Sequence, residues 1–483
     1  MAPRVILAGH NIDTQALAGR LAGKDESQAG ALCPETLSAA YARISRDPRD
    51  VPELRADSRL EVERARKSNR AIIFQMGHAS VAEHSIFNLD VMDLSRLAVE
   101  AIEHHRLASY TEKSQRYIRL DGDHVIPKEI VGTSHEKDFV ELVDKLGKFY
   151  KELAERLTKQ AENEAKPDEK RSVIEARANE DARYALPLCA TAQLGMTVNA
   201  RTLELMIAHT ASSPLDEVRQ LSKALYDAVR DIASSVVRYT EPTEYFRDTP
   251  KNLTRLANSC LPDEHPNDSQ AVTLLEHTPE PDTMIRTGLL SAFGDCNWST
   301  SRHTSVSMSE HDSHELFKEV FRRMNLWDEL PRAFELVDFT FEVILSAACF
   351  AQLKRHRMAT LLSQPYSPEL GVTIPPSVIR ADMQQAFIKH MKMAENLYHE
   401  IYKQTPQAAP YALTNAHQRR VVFKINARSL GHFCRLRCDA EAQWDIRNVA
   451  NAMVAEVKKV MPTAGAFYGG KDRFKDLIEE AGI

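Results

Sequence analysis

The sequence predicts two tandem copies of one domain that mixes α-helix with β-strand, an α/β (α+β) class. Three observations carry this. The chain has 483 residues, too many for one ordinary core and comfortable for two. Strand-like alternation occurs once in each half. Three short stretches recur in the same order along the chain, the signature of internal duplication.

The first recurring stretch is the strand. Residues 84–91 alternate weakly; residues 336–343 do so more clearly, with Val337, Phe339, Phe341 and Val343 on one face. The second is a His-Arg pair, His105-Arg106 and then His356-Arg357. The third is an Asn-Ala-Arg triplet, Asn199-Ala200-Arg201 and then Asn426-Ala427-Arg428. Between pair and triplet the first copy is longer, and its extra residues lie around 161–183, a stretch rich in Glu, Lys and Asp. Just before it, Phe139, Val143, Leu146, Phe149, Tyr150 and Leu153 recur at helical spacing. Phe387, Met391, Leu397 and Ile401 do the same less regularly in the second copy. Residues 241–270 carry Pro242, Pro250, Pro262 and Pro266 and form the best linker candidate, which places the domains at 1–265 and 266–483.

Bulk properties exclude several classes. Glycine numbers only 17, and no dinucleotide or Walker phosphate loop is present. A formal charge of -6 argues against an extended nucleic-acid surface, while leaving room for a local arginine pocket. No apolar run is long enough to span a membrane. The seven cysteines form no C-x-x-C pair and read as reduced thiols of a cytoplasmic protein.

Two segments carry candidate chemistry. Gly77 to His84 reads GHASVAEH and holds two histidines and a glutamate. No further ligand follows at a known metal spacing, so no metal site is assigned. A structural role, or a polar pocket that moves protons or orients a ring, remains. His104 to Tyr117 reads HHRLASYTEKSQRY and is dense in hydroxyls and cations. Arginine forks and hydroxyls are what a phosphate monoester needs; a solvated helix end is the bland alternative.

Together these residues resemble the flavin-dependent thymidylate synthases. Their R-H-R, seven residues, then S signature is matched by His104-His105-Arg106 and Ser114, with His104 replacing the first arginine. Their G-H-x-x-x-x-E-H segment is matched by Gly77, His78, Glu83 and His84. Their A-A-R-x-S is resembled by Ala42, Arg43 and Ser45, and their N-A-R-S-L helix by residues 199–203 and 426–430. The second half keeps an intact Arg355-His356-Arg357, and Leu436-Arg437 followed by Ala442-Gln443-Trp444 is similar to the family's tail.

The resemblance implies small sheets surrounded by helices. It also implies methylation of deoxyuridylate to thymidylate with FAD as cofactor and NADPH and methylenetetrahydrofolate as co-substrates. Sites are shared between halves, and two chains form a homodimer of pseudo-dimers. Residue by residue, it implies nucleotide binding by Glu112, Ser114, Arg116, Arg183, Gln352 and Arg355. Flavin contacts fall on His105, Arg106, Asn199, Arg201, Arg355, His356, Arg357, Asn426 and Arg428. His78 lies near the flavin ring, and Arg437 polarises the uracil for attack.

Departures are also present. Thr210 stands where Arg437 does in the other half, and Leu205 occupies a flavin-contact position. In the second half Pro365, Ser367, Pro410 and Leu330 replace Ser114, Arg116, Arg183 and His78. These losses keep two alternatives open: a flavin enzyme acting on another pyrimidine nucleotide or an RNA base, and a catalytically silent flavin- or nucleotide-binding protein.

Overall fold

The computed structural model describes residues 2–120, 123–262 and 270–480. The expected boundary near residue 265 lies outside them. The chain divides into two compact units, Met1–His265 with Ile388–Leu413, and Pro266–Phe387 with Thr414–Ile483. Ile388–Leu413, which the sequence assigns to the second domain, thus belongs to the first unit.

Each unit is built on a four-stranded antiparallel sheet. The first contains β1 (Arg4–His10), β2 (Ile86–Ser95), β3 (Ala108–Glu112) and β4 (Thr191–Asn199), in the order β1-β2-β4-β3. The second contains β5 (Val272–His277), β6 (Asp338–Ser346), β7 (Thr360–Ser363) and β8 (Gln418–Asn426), in the order β5-β6-β8-β7. The duplication is therefore topological as well as sequential. Even an irregularity repeats: the register slips between Leu7 and Gly9 on β1 and between Leu274 and Glu276 on β5.

Alternation decides which sheet face is buried. Phe87, Leu89 and Val91 on β2 join Leu194, Met196 and Val198 on β4 in one core, and Phe339, Phe341 and Val343 join Val421, Phe423 and Ile425 in the other. Two helices close each core. In the first unit these are Ala200–Ala211 and Asp216–Ala233; in the second, Ala427–Arg437 and Trp444–Val460. Asn199 and Asn426 start the first helix of each pair, their side chains accepting from the backbone N–H of Thr202 and Ser429, both at 2.8 Å.

The predicted amphipathic helix is Glu136–Glu164, burying Phe139, Val143, Leu146, Phe149 and Tyr150. Its ring Phe149 stacks on His390 at 3.9 Å, from the Ile388–Leu413 segment of the same unit. The charged residues around 161–183 continue as a second helix, Arg171–Ala182. Most of the described residues of the linker candidate form a helix, Glu244–Cys260, with Pro250 inside it. Thr243 caps its start, accepting from the Phe246 N–H at 3.1 Å, while Pro242 and Pro262 flank it.

Both sheets hand over to a capped helix at equivalent serines. Ser95 and Ser346 accept from the N–H of Ala98 and Cys349, and donate to Glu217 and Asp445 at 2.8 and 2.6 Å. Buried Glu217 also accepts from the Tyr411 hydroxyl at 2.6 Å, tying Ile388–Leu413 into the first unit. Glu217→Ala is expected to cost about 3 kcal/mol, because it strands two buried hydroxyls and an N–H, and Tyr411→Phe about 1.5 kcal/mol. Urea midpoints measure both, and equal midpoints for the two variants would contradict the network.

Candidate functional site

In the first unit β3 delivers Glu112 beside Arg96, the first residue of the helix Arg96–Glu103, and the two side chains pair in a buried setting. Past the strand, Arg116 donates through Nε to Glu180 at 2.5 Å, and its own N–H donates to the Ser114 hydroxyl at 3.1 Å. Arg183, one turn beyond Glu180, donates through Nε to the Glu180 carbonyl at 3.1 Å and is buried. Burial pushes the Glu180 carboxyl up, against the pull of Arg116 and Arg183. Burial likewise draws Arg183 down, opposed by Tyr184 and Glu180. The predicted residues Glu112, Ser114, Arg116 and Arg183 are thus brought together. Arg96 and Glu180, which sequence reasoning missed, are their partners: Arg96 pairs with Glu112 in a buried setting, and half-buried Arg116 meets Glu180 beside buried Arg183.

The motif histidine of this unit faces inward. His105 Nδ1 lies 3.2 Å from the Ile102 carbonyl and so carries the proton; its Nε2 then accepts from His209 Nδ1 at 3.2 Å. Phe246 packs edge-on against His209 at 4.0 Å. Thr210 is turned into its own helix, donating to the Met206 carbonyl at 2.7 Å.

In the second unit the equivalent histidine has a different partner. Arg437, at the end of Ala427–Arg437, donates from Nε to His356 Nε2 at 3.0 Å. Gln352 Nε2 donates to Gln443 Oε1 at 3.1 Å, and that oxygen also caps Trp444–Val460 through Asp445 N–H and Ile446 N–H. Arg355 is exposed and makes no hydrogen bond or ion pair among the described residues, whereas Arg357 is half-buried. Burial first, and Arg437 second, hold His356 down to about 3; burial holds His105 down to about 4. Both imidazoles are therefore neutral in the folded protein, while an unfolded chain takes up a proton near 6.5. Their contribution to stability is complete above pH 6.5 and is lost as pH falls through 4 and 3. Thermal melting between pH 7 and 4.5 is expected to show this decline, with a shallower slope in His105→Leu.

The triplet arginines are matched across the units. Arg201 pairs with Glu83 at 2.6 Å, and Arg428 pairs with Glu335 at 3.1 Å, with Glu329, and with the Leu330 carbonyl at 2.7 Å. Glu83 and Glu335 both come from the turn before the long strand, so the G-H-x-x-x-x-E-H segment holds the triplet. His78 is exposed, following Gly77 at φ 78°, and makes no side-chain hydrogen bond to the other candidates among the described residues. Its counterpart Leu330 is buried beside Gly431, where an added Cβ would come within 2.9 Å of the leucine.

One second-unit arginine had no counterpart in the sequence reading. Arg419, on β8 where β4 has Ala192, lies between the rings of Phe350 at 4.6 Å and Tyr366 at 4.2 Å and donates to the Gln364 carbonyl at 2.7 Å. Ser367 is used locally, accepting from the Glu369 N–H at 3.2 Å. Among the described residues no group of three His, Cys, Asp or Glu is placed to hold a metal.

The family model described as thymidylate synthase complementing protein matches residues 31–234 and again 273–463. The chain belongs to that family. Each match covers one copy of the duplicated domain, so the family domain occurs twice. Among relatives, the UPF0159 protein of Thermoplasma acidophilum is 25% identical over 472 residues, covering 88% of this chain and 93% of its own. The UPF0159 protein of Chlamydia pneumoniae is 25% identical over 441 residues, covering 87% and 83%. A flavin-dependent thymidylate synthase of Clostridium tetani is 30% identical over 213 residues, covering 44% of this chain and 83% of its own. A crystal structure of the flavin-dependent thymidylate synthase of Helicobacter pylori, complexed with FAD and dUMP, covers 49% of this chain at 19% identity and a TM-score of 0.31. No helix among the described residues is long and apolar enough to cross a membrane.

Proposed function

We propose that the chain is a flavin-dependent enzyme that methylates deoxyuridylate to thymidylate, with methylenetetrahydrofolate as carbon donor and NADPH as reductant. The observation that carries this reading is the cluster of Arg96, Arg116 and Arg183 with Ser114: forks and a hydroxyl converge where a phosphate monoester could bind. The family and the relatives named flavin-dependent thymidylate synthase support it. Arg437 is the group assigned to polarise the pyrimidine ring, since a guanidinium stays charged and stabilises developing negative charge.

The residues present fit FAD. Arg355 offers an exposed fork suited to a diphosphate, and Arg201 and Arg428 are held in place by carboxylates at the start of their helices. Arg106, His356, Arg357 and the triplets would hold the group, which when reduced supplies the hydride. FAD should copurify, giving a yellow protein. A colourless preparation that gains no flavin absorbance on incubation with FAD overturns the proposal. Pro365 and Ser367 in place of Ser114 and Arg116 favour a second reading, a flavin enzyme acting on another pyrimidine nucleotide or RNA base. Product analysis with deoxyuridylate separates the two.

For assembly, we propose a two-chain molecule. Tyr245, Leu253 and Leu256 are exposed on Glu244–Cys260, and two-fold closure is the commonest way soluble chains associate. Light scattering is expected to give about 109 kDa from two chains of 54.5 kDa each; a mass of one chain contradicts it.

A further inference from the structure

A wide helical turn, Arg70–Gln75, leads into His78, the residue assigned to the flavin ring. The turn is π-helical: the Met76 N–H reaches back five residues to the Ala71 carbonyl at 3.0 Å. Phe74 on this turn meets Tyr239 edge-on at 5.0 Å. The Arg238 guanidinium lies 5.6 Å from the centroid of each ring, within cation–π reach of both. Tyr239 is 58% exposed, so much of its ring is open to solvent. Exposed Met76 accepts from Arg46 Nη1 at 3.6 Å, which brings a further cation to the same surface.

The positive charge here is left over. Arg46, Arg70 and Arg238 make no ion pair among the described residues, whereas Arg49, Arg64 and Arg66 of the same stretch are each held by carboxylates. Glu204 accepts from the backbone N–H groups of Arg238 and Tyr239, at 2.6 and 3.0 Å. It fixes the backbone of the pair and makes no bond to the Arg238 fork. The second unit closes the equivalent corner. Phe467, as far past Asp445 as Tyr239 is past Glu217, is buried and stacks on Phe321 at 3.9 Å. Gly431 stands where Glu204 does, and Leu326 where Phe74 does. The arginines near Leu326 in sequence, Arg322, Arg323 and Arg332, all pair with glutamates. One corner is packed shut, and its counterpart presents an open ring beside unpaired cations.

We propose that this first-unit surface binds the tail of the carbon donor: the p-aminobenzoyl ring of a folate and the glutamate carboxylates that follow it. The proposal rests on the reading that methylenetetrahydrofolate is the donor and that His78 marks the flavin ring. A donor that meets the flavin with its pterin end leads its tail away over neighbouring surface, and Met76 and Phe74 precede His78 by two and four residues. Tyr239 with Arg238 suits the aromatic ring, and Arg46 and Arg70 suit carboxylates strung along a flexible chain. p-Aminobenzoyl-pentaglutamate has the tail and no pterin, so it probes the surface without turnover. Calorimetry with the full chain should show binding that weakens as salt is added. The double variant Arg46→Ala/Arg238→Ala should weaken it by about 10-fold, and Tyr239→Ala by about 5-fold, whereas Tyr239→Phe should bind as the wild type does. Flavin absorbance should be unchanged in all three, because none of these residues is assigned to the cofactor. In turnover, the double variant should raise KM for the pentaglutamate form of the donor by about 10-fold, with kcat and KM for NADPH unchanged. A ring among arginines also suits the adenine and 2′-phosphate of NADPH. A rise in KM for NADPH, with that for the donor unchanged, overturns the proposal in favour of the reductant. No binding of the probe by the wild-type protein, or binding indifferent to these substitutions, overturns it outright. If the probe binds with the expected losses but no thymidylate forms, the tail site stands and the assigned reaction fails.

Discussion

Replacing Arg437 by alanine should lower turnover of deoxyuridylate by about two to three orders of magnitude, by analogy with removal of one oxyanion donor. Flavin absorbance should survive, because the residues assigned to the cofactor lie elsewhere: Arg355 and Arg357 follow Ala347–Leu353, Asn199 and Arg201 open a helix of the first unit, and Asn426 and Arg428 are at the opposite end of the helix that Arg437 ends. Neither the hydrogen-bonded partner nor the first-unit counterpart carries a replacement charge. His356 is neutral, and Thr210, the first-unit counterpart, spends its hydroxyl on its own helix. The split between kcat and KM is informative. A fall in kcat with KM preserved places the guanidinium's main effect in the transition state, whereas a rise in KM alone makes Arg437 a binding group. Undiminished methylation in Arg437→Ala would show that the activating residue lies elsewhere.

The fold was legible where periodicity was strong. Phe339, Phe341 and Val343 marked β6, and Phe139 to Leu153 marked the helix Glu136–Glu164. β4 was readable in principle, since Leu194, Met196 and Val198 recur at every second position, whereas Val422 between Val421 and Phe423 blurs the same pattern in β8. The edge strands were not: β7 has four residues, and β1 buries none of its side chains fully. Four prolines hid the helix Glu244–Cys260, although its Thr243 cap was visible in the sequence. The assignment of Ile388–Leu413 to the first unit was beyond local signals, because it depends on the Phe149–His390 stack and the Tyr411–Glu217 bond.

At the candidate site, the motif residues were legible and their partners were not. Arg116 stood out as a cation beside hydroxyls and Arg183 came from the resemblance, but nothing local shows that Glu180 would meet Arg116 across 64 positions of sequence. The same holds for Arg437 and His356, 81 positions apart. A spacing rule helps only within one element, as with Glu180 and Arg183 one turn apart. Arg419 was overlooked because its role comes from two rings, Phe350 and Tyr366, that the sequence does not place together.

The arginine cluster of the first unit leads to the second large effect. Arg116→Ala and Arg183→Met should each weaken binding of deoxyuridylate by about 10- to 100-fold, the loss of one or two charge-assisted hydrogen bonds to a phosphate. Methionine is chosen for buried Arg183 because it keeps most of the side-chain volume. Affinity for the nucleoside deoxyuridine, which lacks the phosphate, should change little, so the preference for nucleotide over nucleoside collapses. Combined, the two substitutions should cost less than the product of their separate effects. Both guanidinium groups act on Glu180 and would grip one phosphate, and residues that share a partner do not behave independently. Glu180 sharpens the argument, because a phosphate entering the cluster competes with its carboxylate for Arg116. Removing Arg116 therefore both deletes a donor and strands a buried carboxylate that repels the incoming anion. Titration calorimetry with deoxyuridylate, deoxyuridine and inorganic phosphate reads all three effects. Equal losses for nucleotide and nucleoside would mean that these arginines hold the ring or the fold. Strictly multiplicative losses would mean that they do not meet the same phosphate.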